Sequence, residues 1–253
     1  MEVMKKPINF IVSFILLLTA WQLLITLGGY DDALFPSPTT VFLSLLDLVK
    51  SGTLFKDVAV SLSRFAIGYL LAVIPAIVLG LMLGRMPRVW QVLDPIVQLI
   101  RPVSPVAWSP FIVLWFGIGN IPAIVIIFIA AFFPVLLTTV SAARKVEHDY
   151  IKIAQNLEVN KFEFLCKFVF PASFPAIVSG LRVAVGTAWI FLVAGEMVGS
   201  QSGLGFLIVD ARNTLNLANV LAGIVVIGLL GFLLDRFISV FERFIGRYFG
   251  TAS

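Results

Sequence analysis

Three ionisable side chains stand inside otherwise apolar stretches of this 253-residue chain: Arg101, Arg182 and Glu196. A charge within hydrocarbon costs about 2.5–3.5 kcal/mol or more, so such groups mark a solute path or pair with one another. Arg101 is followed by Pro102, Ser104, Pro105, Trp108, Ser109 and Pro110. Three prolines so close together strip donors from the backbone, and the freed carbonyls need protein or a wet cavity to satisfy them. Arg101, Ser104 and Trp108 are therefore candidates to line a pathway. Glu196 precedes a glycine-rich turn, Gly199 to Gly205, and is a candidate gate residue or the buried partner of an arginine. Arg182 reads as an anchor at the inner end of its span. Catalytic chemistry has no foothold here. Single His148 and Cys166 residues exclude an internal disulfide and argue against a His- or Cys-based metal centre, and no paired carboxylates or nucleophile constellation stands within the apolar stretches.

The elements that must hold these residues are membrane helices. The chain is 60% hydrophobic and 13% charged, with a mean hydropathy of +1.04. Soluble domains run nearer half apolar and about a quarter charged. A helix needs about 20 apolar residues to cross the hydrocarbon core. Residues 7–30 form the first such stretch and 65–84 the second, bounded by Arg64 and Arg85. Residues 102–143 carry no charge and are too long for one helix; Gly117-Ile118-Gly119-Asn120 divides them. Spans three and four are thus expected at about 93–116 and 121–142. The fifth is expected at about 176–198 and the sixth at about 217–240. Small-xxx-small pairs, Gly80 with Gly84 and Gly195 with Gly199, let helices approach closely.

Six spans put both termini on one side. That side holds twelve Lys and Arg residues, among them Lys5, Arg85, Arg144, Lys145 and Arg236, against four on the other. The positive-inside rule then makes both termini cytoplasmic. The excess of 18 basic over 14 acidic residues reports orientation, not nucleic-acid binding. Residues 41–49 of the outer loop read as an interfacial amphipathic helix.

The loop from 144 to 171 is the most informative. Val146, Tyr150, Ile153, Ala154 and Leu157 fall on one helical face. Glu158-Val159-Asn160 interrupts the pattern, which restarts with Phe162, Leu165, Cys166 and Val169 until Pro171. Two short amphipathic helices outside the membrane are unstable alone and either dock into a partner's groove or fold back on the chain's own helix ends. In length, position and two-helix form this segment resembles the coupling loop of binding-protein-dependent ABC importer permeases. That family's pattern is Glu-Ala-Ala, three residues, Gly, nine residues, Ile-x-Leu-Pro. Aligned on Pro171, Ala154 and Pro171 match, Phe168 and Phe170 replace the Ile and Leu, Lys152 replaces the glutamate and Glu158 the glycine. The flanks are similar to the nitrate, sulfonate, taurine and bicarbonate branch: the run from Leu99 to Trp108, then Leu114 to Gly119, Gly180-Leu181-Arg182, Gly195-Glu196-Met197 and Ser202-Gly203-Leu204-Gly205.

The resemblance covers the chain most strongly over 58–245. It implies an all-α integral membrane protein forming a single permease domain over 1–253, in a bacterial plasma membrane. It also implies a pore of two permease copies or homologous chains, and an extracytoplasmic binding protein that delivers a small anion or polar solute. Two cytoplasmic ATPases would dock on Tyr150, Ile153, Ala154, Leu157, Glu158, Phe162 and Pro171. ATP and magnesium would belong to that partner, because this chain has no Gly-x-x-x-x-Gly-Lys-Ser/Thr loop and no cofactor or metal site of its own. The competing reading is an ion-coupled secondary transporter or channel, which needs membrane carboxylates or repeated broken helices. Glu196 and, near a span end, Asp94 are the carboxylates available to it.

Overall fold

The computed structural model describes residues 2–29, 31–146 and 160–248. Its helices are α1 (Glu2–Gly28), α2 (Pro38–Lys50), α3 (Thr53–Gly84), α4 (Pro87–Ile100), α5 (Ser109–Phe116), α6 (Asn120–Lys145), the short α7 (Lys161–Phe164), α8 (Phe170–Gly199), α9 (Leu204–Asn213) and α10 (Leu217–Tyr248). Among the described residues, α3, α6, α8 and α10 are long and apolar enough to cross a membrane. The bent pair α4–α5 makes a fifth crossing if counted as one broken span.

The core is a sheaf of α3, α6 and α8, with α9 and α10 packed beside α8 and α2 lying against α3 and α10. Small residues set the spacing. Gly68, Ala72, Ala76, Gly80 and Gly84 recur every four positions on α3, all buried. A methyl group at Gly84 would stand 2.5 Å from Ala143 Cβ, and one at Gly80 2.6 Å from Thr139 Cβ, so α3 and α6 touch almost backbone to backbone. On α8, Gly180, Ala184, Ala188 and Gly195 make a second buried row, toward α6. Without a hydrophobic force between helices in lipid, such close van der Waals contact is what holds them. Pro134 removes the helical donor for the carbonyl of Ala130, and the Thr187 hydroxyl of α8 lies 3.4 Å from that oxygen in its place.

Two expectations from the sequence need correction. The second span is not bounded by Arg64: α3 begins at Thr53 and carries Arg64 inside it, buried. Arginine is a good helix former, and its charge can be buried here because it has partners. The third span starts earlier than about 93, with α4 at Pro87, and is broken within its proline-rich segment. After α4, a turn and a 3₁₀ segment (Pro105–Trp108) redirect the chain into α5 at 83°. The corner turns at Ser104, which Pro105 drives out of helical geometry to ψ 130°. The amphipathic run at 41–49 is helical, within α2, which Ser37 caps by accepting the Thr40 amide at 3.2 Å.

Candidate functional site

Asp57, Ser61 and Arg64 stand at i, i+4 and i+7 on α3 and present three polar groups to one place. Arg64 is 2% exposed and engages every guanidinium nitrogen. Its Nε and Nη2 donate to Asn120 Oδ1 at 2.9 and 2.6 Å. Nη2 also donates to Ser202 Oγ at 2.8 Å, and Nη1 to the Ser202 carbonyl at 2.7 Å and Glu196 Oε1 at 2.8 Å. Glu196, on α8 and fully buried, also takes the Gly205 amide on Oε2 at 2.9 Å, while the Ser61 hydroxyl lies 2.8 and 2.9 Å from its two oxygens. The Leu204 amide donates to Ser61 Oγ at 2.9 Å, and the Gly203 amide to Asp57 Oδ1 at 2.8 Å.

Three consecutive amides at the start of α9 are thus captured by three side chains from α3 and α8. The loop must be glycine-rich to come so close. Gly203 has φ +98°, and a Cβ there would run into Glu196 and Arg64. A second tie joins the Gly119 amide to the Gly199 carbonyl at 2.8 Å, locking the turn before α6 to the end of α8. With its oxygens filled by Arg64, Ser61 and Gly205, Glu196 has no free face for a transported cation. Arg64 and Asp57 were missed in the sequence because they precede the apolar stretch; their signal was the i, i+4, i+7 spacing with Ser61.

The other candidates lie elsewhere. Arg101 follows α4, exposed, and lines a groove of about 470 Å³ with Asp94 and Gln98 of α4 and Ser141, Arg144 and Lys145 of α6. Ser104, exposed, is the residue before the 3₁₀ segment. Trp108, 39% exposed, begins an aromatic row with Phe111 and Trp115, at centroid separations of 6.5 and 6.1 Å. Among the described residues these three do not converge on Glu196. Arg182 does not pair with Glu196 but with two carboxylates of α10, Asp235 at 3.3 Å and Glu242 at 3.0 Å, and so fastens α10 to α8.

Of the residues expected to meet an ATPase, Tyr150, Ile153, Ala154, Leu157 and Glu158 lie outside the described residues. Phe162 belongs to α7, and Pro171 does not end a helix. Instead α7 runs through a π turn, Leu165–Val169, directly into α8, with Pro171 in the first turn, where a missing amide hydrogen costs little. The Arg85 guanidinium lies 5.5 Å from the centre of the Phe164 ring, joining this elbow to the end of α3. The hydrogen bond from Lys167 holds the exposed Glu163 carboxyl below its ordinary range.

A bundle held by small-residue contacts, with an apolar exterior and a broken helix pair, is that of a helical membrane-spanning protein. Residues 76–247 match the family described as binding-protein-dependent transport system inner membrane component. The chain belongs to that family and is a non-catalytic permease subunit of the ABC transporter type. It is 35% identical over 232 residues to the taurine transport system permease protein TauC of Escherichia coli, covering 90% of this chain and 84% of that one. It is also 35% identical over 247 residues to the nitrate import permease protein NrtB of Leptolyngbya laminosa, covering 94% and 87%. The bicarbonate transport system permease protein CmpB of Synechococcus elongatus is 33% identical over 253 residues, covering 95% and 89%. A chain of the inward-facing MetNI methionine ABC transporter shares the fold at a TM-score of 0.59 and 19% identity, covering 74% of this chain and 91% of that one.

Proposed function

We propose that this chain forms half of the translocation pathway of an ABC importer for a small anion or polar organic solute, of the taurine and sulfonate, nitrate or bicarbonate class. The observation that carries the reading is the full-length similarity: three relatives named for taurine, nitrate and bicarbonate transport each cover at least 90% of the chain. In this reading the chain crosses the membrane six times, α1 and the broken pair α4–α5 included, with both termini in the cytoplasm. A second permease copy or a homologous chain completes the pore, and a binding protein delivers the cargo from outside. Two cytoplasmic ATPases receive the 144–171 loop and hydrolyse ATP with magnesium. Arg101, Ser104 and Trp108 border the path, and Glu196 acts by holding the α3–α8–α9 junction. Closure of the ATPases would move the docked loop, and the continuous α7–α8 elbow would carry that motion into the core as rigid-body rocking.

The test is a mild-detergent pull-down of the chain from its native membranes, with quantitative identification of what accompanies it. One ATPase recovered per permease is expected. Recovery of this chain alone, even after crosslinking, would overturn the reading in favour of a secondary transporter.

A further inference from the structure

The groove between α4 and the last turns of α6 gathers more positive charge than a helix interface needs. Asp94, Gln98 and Arg101 stand at i, i+4 and i+7, so one face of α4 and the residue that ends it point toward α6. Ser141, Arg144 and Lys145, at i, i+3 and i+4, supply the facing wall. Three cations share the lining with one carboxylate, Asp94, whose Oδ1 lies 3.4 Å from Gln98 Nε2; the formal balance is +2. Among the described residues no carboxylate forms an ion pair with Arg101, Arg144 or Lys145, whereas Arg64 and Arg182 each hold one or more. Like charges gathered in a concave wall focus the local field onto an anion. Guanidinium forks match the geometry of sulfonate, phosphate and carboxylate oxygens, and a serine hydroxyl and glutamine amide add neutral donors. A cation gains nothing in such a groove.

We infer that this groove binds an oxyanion of the sulfonate or phosphate class at the end of the bundle where α6 stops. The inference rests on the permease reading only in placing that end at the cytoplasm. A free anion leaving the pathway and the phosphate of an anionic lipid present the same chemistry to these residues.

Both sources are tested on the full chain in nanodiscs. In phosphatidylcholine alone, radiolabelled sulfate reports the free anion. In discs containing phosphatidylglycerol, native mass spectrometry counts the lipid retained after release from the disc. Saturable sulfate binding assigns a free-anion site, and retained phosphatidylglycerol without sulfate binding assigns a lipid site. The Arg144→Gln/Lys145→Gln double variant is expected to weaken whichever is seen by about tenfold or more. Arg144→Lys/Lys145→Arg is expected to restore most of it. Arg88→Gln, which removes a charge outside the groove, is expected to change nothing. Should the double variant elute unlike the wild type, Arg101→Gln makes the same comparison from the opposite wall. Binding in neither arm, or binding that survives loss of these charges in a properly folded variant, overturns the proposal. Failure of the permease reading would show separately, as a missing ATPase in the pull-down, and would leave both binding arms intact.

Discussion

Glu196 shows how a buried charge is made tolerable. Arg64, Ser61 and the Gly205 amide surround its two oxygens, so the desolvation of the carboxylate is offset by direct contacts. Removing one partner of such a pair strands the other, at a cost of about 3–5 kcal/mol. Glu196→Ala is therefore expected to lower the unfolding temperature of the detergent-solubilised chain sharply. The double variant Arg64→Leu/Glu196→Leu is expected to be less destabilised than either single leucine variant, since neither charge is left alone. Additive losses in a thermal-shift comparison would mean that the pair contributes nothing beyond its separate contacts. From sequence, Glu196 was legible as a membrane carboxylate in need of a partner. Its partner was not, because Arg64 lies 132 positions away along the chain, and proximity of that kind comes only from the packing of α3 on α8.

Among the elements, α3 and α6 pack through a stripe whose every large addition is a collision. Gly80→Ala would place a methyl 2.6 Å from Thr139 Cβ and 3.2 Å from the Leu136 carbonyl, and is expected to cost about 1–3 kcal/mol. Gly228→Ala on α10 meets no atom within 4 Å and is expected to be neutral or to gain up to about 1 kcal/mol of helix propensity. Parallel melting curves of the two variants check this, and equal shifts would remove the close-packing argument. At the loop between α6 and α8, Leu157→Asp would put a charge on the proposed docking face. It is expected to abolish ATP-dependent uptake while the chain still inserts in the membrane; unchanged uptake with normal ATPase recovery would end the docking assignment. The small-residue spacing was visible in the sequence, but Gly80 with Gly84 gave only the end of the stripe. Ala72 and Ala76 carry it onward, and alanine is too common in any helix to signal a contact by itself.

For the whole molecule, orientation is testable with the chain as it stands. Cys166 is the single cysteine and is exposed beside the α7–α8 elbow. A membrane-impermeant maleimide is expected to label it in inside-out vesicles and not in right-side-out ones; the reverse pattern would invert the proposed topology. Arg101→Ala is expected to reduce uptake at least several-fold with assembly intact, and normal uptake would take Arg101 out of the path. These two experiments address different things, since the proposed orientation rests on loop charges and the proposed passage on the broken α4–α5 pair.

Composition and hydropathy alone determined that this chain lives in a membrane as a bundle of helices, because 60% apolar residues cannot be buried in one soluble core of this size. The motifs around Pro105, Gly180 and Gly203 were enough to point to the permease family. Tertiary structure decided what the polar residues do. It turned Arg64 from a boundary into the centre of a buried network, gave Arg182 to α10, and bent the proline-rich segment by 83°. A charge in an apolar run announces only that it needs a partner or a path. Which of the two it has depends on the helix that packs against it, and that is settled by contacts far apart in sequence.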